Sequence, residues 1–201
     1  MVRALLLASL VLLATSAVAL AARGEPRDRP NAKDMGRARS VVLTKADLGA
    51  AFRAVPAPKG GDGYCAALDE SSLTRTGKAE SPVFTQAATL ITSRVDVYET
   101  LGDAETSWRQ GVSPAGRQCF KAVLGGTGVA PTVSKLAFPR LAKKTFALRV
   151  DGAATFDLIV LQEGRIQAVT AFVSGVGPLA KADEVALMKL VAARLKRAAA
   201  S

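Results

Sequence analysis

The residue types that carry most enzyme chemistry are scarce in this chain of 201 residues, which has no histidine and two cysteines. Without imidazole there is no Ser-His-Asp or Cys-His catalysis, and the commonest ligand of transition metals is missing. The acids Asp96, Glu99, Asp157 and Glu163 are scattered along the sequence. Two carboxylates suffice for a glycosidase, so an enzyme with paired acids stays as a third hypothesis. We predict no enzyme, no metal site and no cofactor.

The two cysteines, Cys65 and Cys119, are predicted to form a disulfide. They lie far apart in sequence, so they do not form the C-x-x-C pattern of a redox site. Two cysteines in an exported chain favour a structural cross-link. Closing a loop of about 55 residues would stabilise the fold by about 4 kcal/mol in the chain-entropy model.

Two further features have chemical as well as structural interpretations. The cluster Gly60, Gly61 and Gly63 could cradle a phosphate, but it lacks the Gly-Lys-Ser/Thr signature of a nucleotide-binding loop. Trp108 could stack on a ligand, but its helical spacing from Ala104 favours a core position. We therefore predict a plain loop and a core residue.

Residues 1–22 have the pattern of a secretory signal peptide. Arg3 precedes an apolar run from Ala4 to Leu13, and A-x-A patterns follow. We expect cleavage after Ala19, Ala21 or Ala22. Retention as a membrane anchor is the alternative, because the apolar stretch approaches the ~20 residues that span a bilayer. Both outcomes predict a secreted or extracytoplasmic protein.

The rest of the chain is predicted to be one domain behind a linker. Residues 23–39 are rich in charge, proline and glycine and nearly devoid of apolar side chains, which predicts a disordered linker. Residues 40–199 are long enough for a single hydrophobic core.

Apolar alternation predicts the sheet of this domain. Three strands are joined by turns at Asp151-Gly152 and Glu163-Gly164, which is typical of an antiparallel meander. The predicted strands of this meander are 145–150, 156–161 and 166–173, and two further strands are predicted over 89–98 and 132–138.

Apolar residues with helical spacing predict the elements around the sheet. The predicted helices are Lys45–Ala54, Asp103–Trp108, Ala115–Leu124 and Pro178–Ala199. The fold class is α+β: a curved antiparallel sheet of about five strands flanked by helices, with the C-terminal helix packed on the sheet and one disulfide.

A formal net charge of +10 raises the question of a polyanionic partner. Because the chain carries an export signal, we expect no nucleic acid. The alternatives are an anionic envelope surface and a merely solvated basic surface, and the scattered charges favour the second.

The order of motifs resembles a known group of proteins. YCAALDESSL precedes the strand RVDVYETLGDAETSW and the helix SPAGRQCFKAVL, and a meander and a final helix follow. This plan is similar to that of a group of actinobacterial secreted proteins. It also resembles the extracellular sensor domains of mycobacterial serine/threonine kinases and, more distantly, the PsbP/Mog1-like sandwich. The resemblance covers about residues 40–198 and implies a sensor-like domain, but it transfers no ligand-binding residue.

Two functions from different classes follow. The first is a non-catalytic envelope protein that binds a small or polymeric ligand on the concave side of the sheet, opposite the C-terminal helix. Phe146, Phe156 and Phe172 are the predicted ligand-binding residues. The second is a basic interaction or structural module on anionic envelope components. The sequence predicts neither the ligand nor the oligomeric state.

Overall fold

The computed structural model describes residues 24–56, 65–124 and 131–201. The predicted signal peptide and the glycine cluster at Gly60, Gly61 and Gly63 lie outside these ranges. The described residues form a mixed α+β fold with a nine-stranded sheet and four α-helices, which confirms the predicted fold class. The predicted number of about five strands is wrong, because four further strands between residues 27 and 86 extend the sheet on one side.

The long strands of the sheet are flanked by much shorter ones. The strands are β1 (Arg27–Asp28), β2 (Arg53–Val55), β3 (Thr74–Glu80), β4 (Val83–Gln86), β5 (Thr89–Tyr98), β6 (Thr132–Lys135), β7 (Lys144–Asp151), β8 (Thr155–Glu163) and β9 (Ile166–Ser174). The helices are α1 (Ala32–Val41), α2 (Leu101–Val112), α3 (Pro114–Leu124) and α4 (Lys181–Ala200).

The strand order is β1-β3-β5-β9-β8-β7-β6. In addition, β4 pairs with β2 and with β5, on the edge of β5 that also pairs with β3. All pairings are antiparallel except that of β1 with β3. The predicted meander is present as β7-β8-β9. The long strand β5 then pairs with β9 along almost its whole length, from Thr89 opposite Ser174 to Val97 opposite Ile166.

An apolar core lies against each of the two faces of the sheet. On one face, side chains such as Val95, Ile159 and Phe172 pack with α1 and with the stripe of α4 that includes Met188 and Leu195. The C-terminal helix therefore packs on the sheet as predicted. The other face carries a second apolar cluster, whose buried residues are Val83, Leu90, Leu148, Val150, Phe156, Leu158, Ala171 and Val173.

The segment predicted as a disordered linker, residues 23–39, is instead ordered over residues 24–39. It contributes β1 and most of α1, which begins at the N-cap Asn31, whose side chain accepts a hydrogen bond from the Asp34 amide. Buried ionic contacts replace the missing apolar surface: Arg75, whose side chain is 1% exposed, pairs with Glu25 and Asp28 of this segment. These partners lie about fifty residues away in sequence, so local composition did not reveal them.

The predicted helix Lys45–Ala54 is also wrong. The Thr44–Asp47 capping box is present, but it starts a 3-10 turn of three residues. The chain then pairs with β4 as the short strand β2. The Asp47 carboxylate is held by two hydrogen bonds from Arg194 on α4, at 2.6 and 2.8 Å, so a long-range contact fixes the turn.

The helix α2 is longer than predicted and starts earlier. Its N-cap is Thr100, whose hydroxyl accepts a hydrogen bond from the Asp103 amide at 3.0 Å. Asp103, predicted as the start of this helix, lies in its first turn, where the negative charge interacts favourably with the helix dipole. The predicted disulfide between Cys65 and Cys119 is confirmed and ties the segment before β3 to α3, with 5.9 Å between the Cα atoms.

Within the described ranges, no helix has both the length and the apolar character needed to cross a bilayer.

Candidate functional site: a cavity between helix α2 and the sheet

A cavity of about 190 Å³ lies between α2 and the face of the sheet opposite α4. Its floor comes from alternate residues of four neighbouring strands. These floor residues are Thr92, Arg94, Asp96 and Tyr98 of β5, Gln167, Val169 and Ala171 of β9, Leu158 and Val160 of β8, and Phe146 of β7. Helix α2 supplies the opposite wall, and Leu68 and Glu70 close one side.

Strand register explains why these side chains share one face. Residues opposite each other in neighbouring strands point to the same side of a sheet. Thr92 lies opposite Ala171, and Ala171 lies opposite Leu158. Leu158 lies opposite Leu148 of β7, two residues from Phe146 on the same side. Small residues keep the space open: Ala171 in the floor and Gly111 in the wall.

The wall formed by α2 contains an aromatic side chain, Trp108, and a glycine, Gly111, that leaves space beside it. Trp108 lines the cavity, and the Lys144 ammonium lies 5.5 Å from the centre of its ring. Lys144 also pairs with Glu105 on α2, so the aromatic wall is fixed to β7 by charge contacts. Gly111 lines the cavity one helical turn later, and a Cβ atom added there would meet no atom within 4 Å.

One end of the cavity is polar. The Tyr98 hydroxyl lies 2.8 Å from Ser107 Oγ and 3.2 Å from one carboxylate oxygen of Glu70. The Ser107 hydroxyl donates to Gln167 Oε1 at 3.2 Å, and the Gln167 amide donates to the Ala104 carbonyl at 2.8 Å. This chain of hydrogen bonds places hydroxyl and carboxyl groups beside apolar walls.

The charges at this end are already neutralised by one another. Arg94 donates to Asp96 at 2.7 Å and to Glu25 at 2.8 Å. Burial opposes ionisation of Arg94, but Asp96 and Glu25 outweigh it and raise the pKa of the guanidinium. Burial likewise opposes ionisation of Glu25, but the nearby Arg94 lowers its pKa to about 2. Arg75 completes the network through a 2.9 Å contact with Asp96.

Two groups beside this network have raised pKa values. Burial raises the pKa of Glu70, and the negative charge of Asp96 raises it further. Burial and the neighbouring Glu70 raise the pKa of the Tyr98 hydroxyl well above its usual value. The polar end offers hydroxyl and amide groups for hydrogen bonding beside an Arg94 guanidinium that is already paired, which suits a neutral polar group better than an anion.

The structure separates the three predicted ligand-binding phenylalanines. Phe146 lines the cavity. Phe156 points to the same face but is 4% exposed and packs within the second apolar cluster. Phe172 lies opposite Asp157, on the other face of the sheet, where it contributes to a different cavity near α4. The three do not line one pocket, and ligand binding by any of them stays a prediction.

Sequence reasoning did not identify the polar end formed by Glu70, Arg94, Tyr98, Ser107 and Gln167. One signal was present in β5, where a central strand carries the polar residues Thr92, Arg94 and Asp96 on the same side. Such residues in a strand paired at both edges indicate a buried polar set. Trp108, predicted as core, is half-buried and lines the cavity.

The described residues contain no cluster of three or more cysteine, aspartate or glutamate side chains arranged to hold a metal ion. The side chains around the cavity offer apolar contact along the walls and hydrogen bonding at one end.

Comparisons with known proteins found a similar structure but no protein that is similar in sequence. No family model matches the chain, and no curated protein matches it in sequence. Among solved structures, the fold is similar to the extracellular domain of PknH from Mycobacterium tuberculosis, with a TM-score of 0.53 and 8% sequence identity. The match covers 84% of this chain and 98% of that domain. At this identity the likeness shows the fold alone, a mixed α+β plan that the two share.

Proposed function

We propose that this protein is a non-catalytic extracytoplasmic domain that binds a small amphipathic molecule in the cavity between α2 and the sheet. The observation that carries the proposal is the cavity itself, which has apolar walls from Trp108, Phe146 and Val160 and a hydrogen-bonding end at Tyr98. Binding sites for small molecules are typically concave and mostly apolar, with a few polar groups that fix orientation.

Size and charge narrow the ligand class. A volume of about 190 Å³ lies below the range of about 300–1,000 Å³ that is typical of sites for drug-sized ligands, which favours a small molecule over a polymer. Because Arg94 is neutralised by Glu25 and Asp96, the polar end favours an uncharged hydroxyl, amide or carbonyl group. The ligand class we infer is a small neutral molecule with an apolar body and one hydrogen-bonding group.

Three observations support an extracytoplasmic location. The first 22 residues have a signal-peptide pattern. The disulfide between Cys65 and Cys119 is typical of oxidising compartments. The structural neighbour is an extracellular domain. Edman sequencing or mass spectrometry of the exported protein tests this part, and a mature N-terminus within residues 20–23 is expected. An intact N-terminus on membrane-bound protein would instead identify the alternative anchor.

Native mass spectrometry of the protein purified from its own host tests the binding function. We expect a non-covalent adduct of one small molecule per chain, released at raised collision energy. Protein that carries no adduct after purification, and none after incubation with an extract of its host, would reject the proposal.

A second candidate is supported by the distribution of charge. Several acids, including Asp34, Asp96 and Asp157, are buried in internal contacts, while basic residues such as Lys189 and Arg197 of α4 are exposed. The surface is therefore more basic than the sequence alone suggests, which would favour association with anionic envelope components. Co-sedimentation with anionic vesicles should fall steeply as salt is added. Absent or salt-insensitive binding rejects this candidate.

A further inference from the structure

A pair of buried carboxyl groups lies between helix α4 and the sheet. Glu184 is in the first turn of α4 and is 1% exposed, and Asp157 of β8 is also 1% exposed. Asp157 lies opposite Phe172 in the register of β8 and β9, so it points to the face of the sheet that α4 covers. The pair therefore belongs to the contact between helix and sheet, on the face opposite the cavity under α2.

The two carboxyl groups need a proton between them. Both Glu184 oxygens are buried, and no donor among the described residues gives them a hydrogen bond. Arg149 of β7 donates to both Asp157 oxygens, at 2.5 and 2.7 Å, so Asp157 is the acceptor of the pair. A hydrogen bond from Glu184 to Asp157 requires a protonated Glu184. Two ionised carboxylates beside one guanidinium would leave a buried charge without a counterion.

The other charged groups around this end of α4 do not replace the proton. Lys181, on the same helix, is exposed to solvent. Asp47 and Asp183 line a space beside the first turns of α4, and both are acids. The Asp47 carboxylate is occupied by Arg194 through two hydrogen bonds.

The other elements that pack against α4 meet it with uncharged groups or at its far end. Strand β9 turns Ala168, Thr170 and Phe172 toward this face of the sheet. Helix α1 lies beside the last turn of α4, where the Arg37 guanidinium is 3.5 Å from Ser201 Oγ. The proton of the carboxyl pair is therefore the local means of neutralising Glu184.

The protonated form of Glu184 is favoured well into the neutral range. Burial raises the pKa of Glu184 to about 8, and the hydrogen bond with Asp157 and its negative charge act in the same direction. The charges of Arg149 and Lys181 oppose them. At neutral pH the carboxyl group of the docked helix holds its proton.

The first turns of α4 are joined to the rest of the domain less firmly than its second half. The N-cap residue Ala180 supplies no side-chain cap, and it follows a loop in which Val176 is 83% exposed. The second half is held by the buried side chains Val191 and Leu195 and by the contact of Arg194 with Asp47. The first turns can therefore separate from the sheet while the second half stays in place.

We propose that the proton shared by Glu184 and Asp157 controls the docking of the first two turns of α4 on the sheet. While Glu184 is protonated, the helix stays docked. When the proton leaves to solvent, the first turns move away so that water can solvate the new carboxylate. This movement would uncover Phe172 and Leu187, so the domain is most closed in an acidic medium. The switch does not depend on the binding function proposed for the cavity under α2.

Linkage gives the direction and size of the pH dependence. The pKa of Glu184 is about 8 in the docked helix and 4.5 in an ordinary glutamate. Below about pH 4.5 both the docked and the undocked state are protonated, so docking has its full strength. As the pH rises from there toward 8, the undocked state loses its proton first. The equilibrium constant for undocking should rise by about tenfold per pH unit over this range and level off above it.

Hydrogen exchange by mass spectrometry between pH 5 and pH 9 tests the proposal. After correction for the intrinsic exchange rate, the protection of residues 181–190 in the wild type should fall by about tenfold per pH unit up to about pH 8. Residues 191–200 should lose less protection. Glu184→Gln keeps the side-chain volume and has an amide that can donate to Asp157, so its protection should not change with pH. The control Asp183→Asn removes an exposed acid one residue away and should keep the wild-type pH dependence.

Protection of residues 181–190 that is independent of pH in the wild type would overturn the proposal. An equal pH dependence in Glu184→Gln would overturn it as well, because another group would then be titrating. An equal loss of protection along the whole helix contradicts a movement confined to its first turns. If Glu184→Gln does not fold, the wild-type series and the Asp183→Asn control decide, and a pH dependence that disappears in Asp183→Asn rejects Glu184 as the switch.

Discussion

Arg75 is the residue through which the N-terminal segment is held, and its replacement by methionine should be strongly destabilising. The side chain is 1% exposed and pairs with Glu25, Asp28 and Asp96 at 2.7, 2.8 and 2.9 Å. Breaking a buried ion pair by removing one partner costs about 3–5 kcal/mol, because the remaining charge is left uncompensated.

The surroundings place the expected loss at the lower end of that range. Asp28 has a side chain that is 60% exposed, so water can replace the lost guanidinium. Asp96 and Glu25 both keep their contacts with Arg94. We therefore expect Arg75→Met to lower the free energy of unfolding by about 3 kcal/mol.

Urea unfolding followed by far-ultraviolet circular dichroism measures this change. Hydrogen exchange by mass spectrometry should show faster exchange in β1 and α1, because Arg75 joins β1 to β3 and α1 follows β1 in the chain. The control Arg29→Met removes an exposed arginine from the same segment and should change stability by less than about 0.5 kcal/mol. A loss below about 1 kcal/mol for Arg75→Met, with unchanged exchange in β1 and α1, would refute this explanation of how the segment is ordered.

Three further predictions concern the packing, the cross-link and the pH dependence of stability. A Cβ atom at Gly77 would overlap backbone atoms of α1, so Gly77→Ala should destabilise by about 1–3 kcal/mol, whereas Gly36→Ala, in open space on α1, should stabilise slightly in the same thermal melts. Replacing both Cys65 and Cys119 by serine should cost about 2–4 kcal/mol in urea unfolding, and an unchanged midpoint would contradict a stabilising role for the disulfide. Because the folded pKa of Glu25 is about 2, below its ordinary 4.5, its contribution is fully present above about pH 4.5 and is lost as pH falls toward 2. The stability difference between wild type and Glu25→Gln should therefore shrink over that range, and a constant difference would contradict the ion-pair assignment.

Local patterns predicted those elements in which the apolar residues repeat with the period of a strand or a helix. The apolar positions in β5, β7, β8 and β9 follow from packing against the two cores of the sheet, and the apolar spacing in α4 follows from one buried stripe. Residues 24–39 and β3 were not predicted as ordered elements, because they are polar and are stabilised by partners far away in sequence. The ion pairs of Arg75 are recognisable only in the folded sheet, where β3 lies between β1 and β5.

The residues that line the cavity under α2 were likewise predictable only in part from the sequence. The sheet face opposite α4 was predicted as the binding face, and Phe146 lies in its cavity. Alternation places residues on one side of a single strand, but it does not say which side of β8 matches which side of β9. Pairing of Asp157 with Phe172 fixes that register and puts Phe172 on the face of α4. The polar end needs three separate segments to meet, which no local pattern contains.

The most direct test of the binding function is a comparison of retained ligand in two matched glycine variants. Gly111→Leu places a side chain in the cavity under α2 without a backbone clash, and Gly36→Leu makes the same change in open space on α1. Native mass spectra of both, purified from the host alongside the wild type, should show the adduct with the wild type and Gly36→Leu but not with Gly111→Leu. An adduct that Gly111→Leu retains in full, with its melting temperature unchanged, would contradict the assignment of this cavity as the binding site.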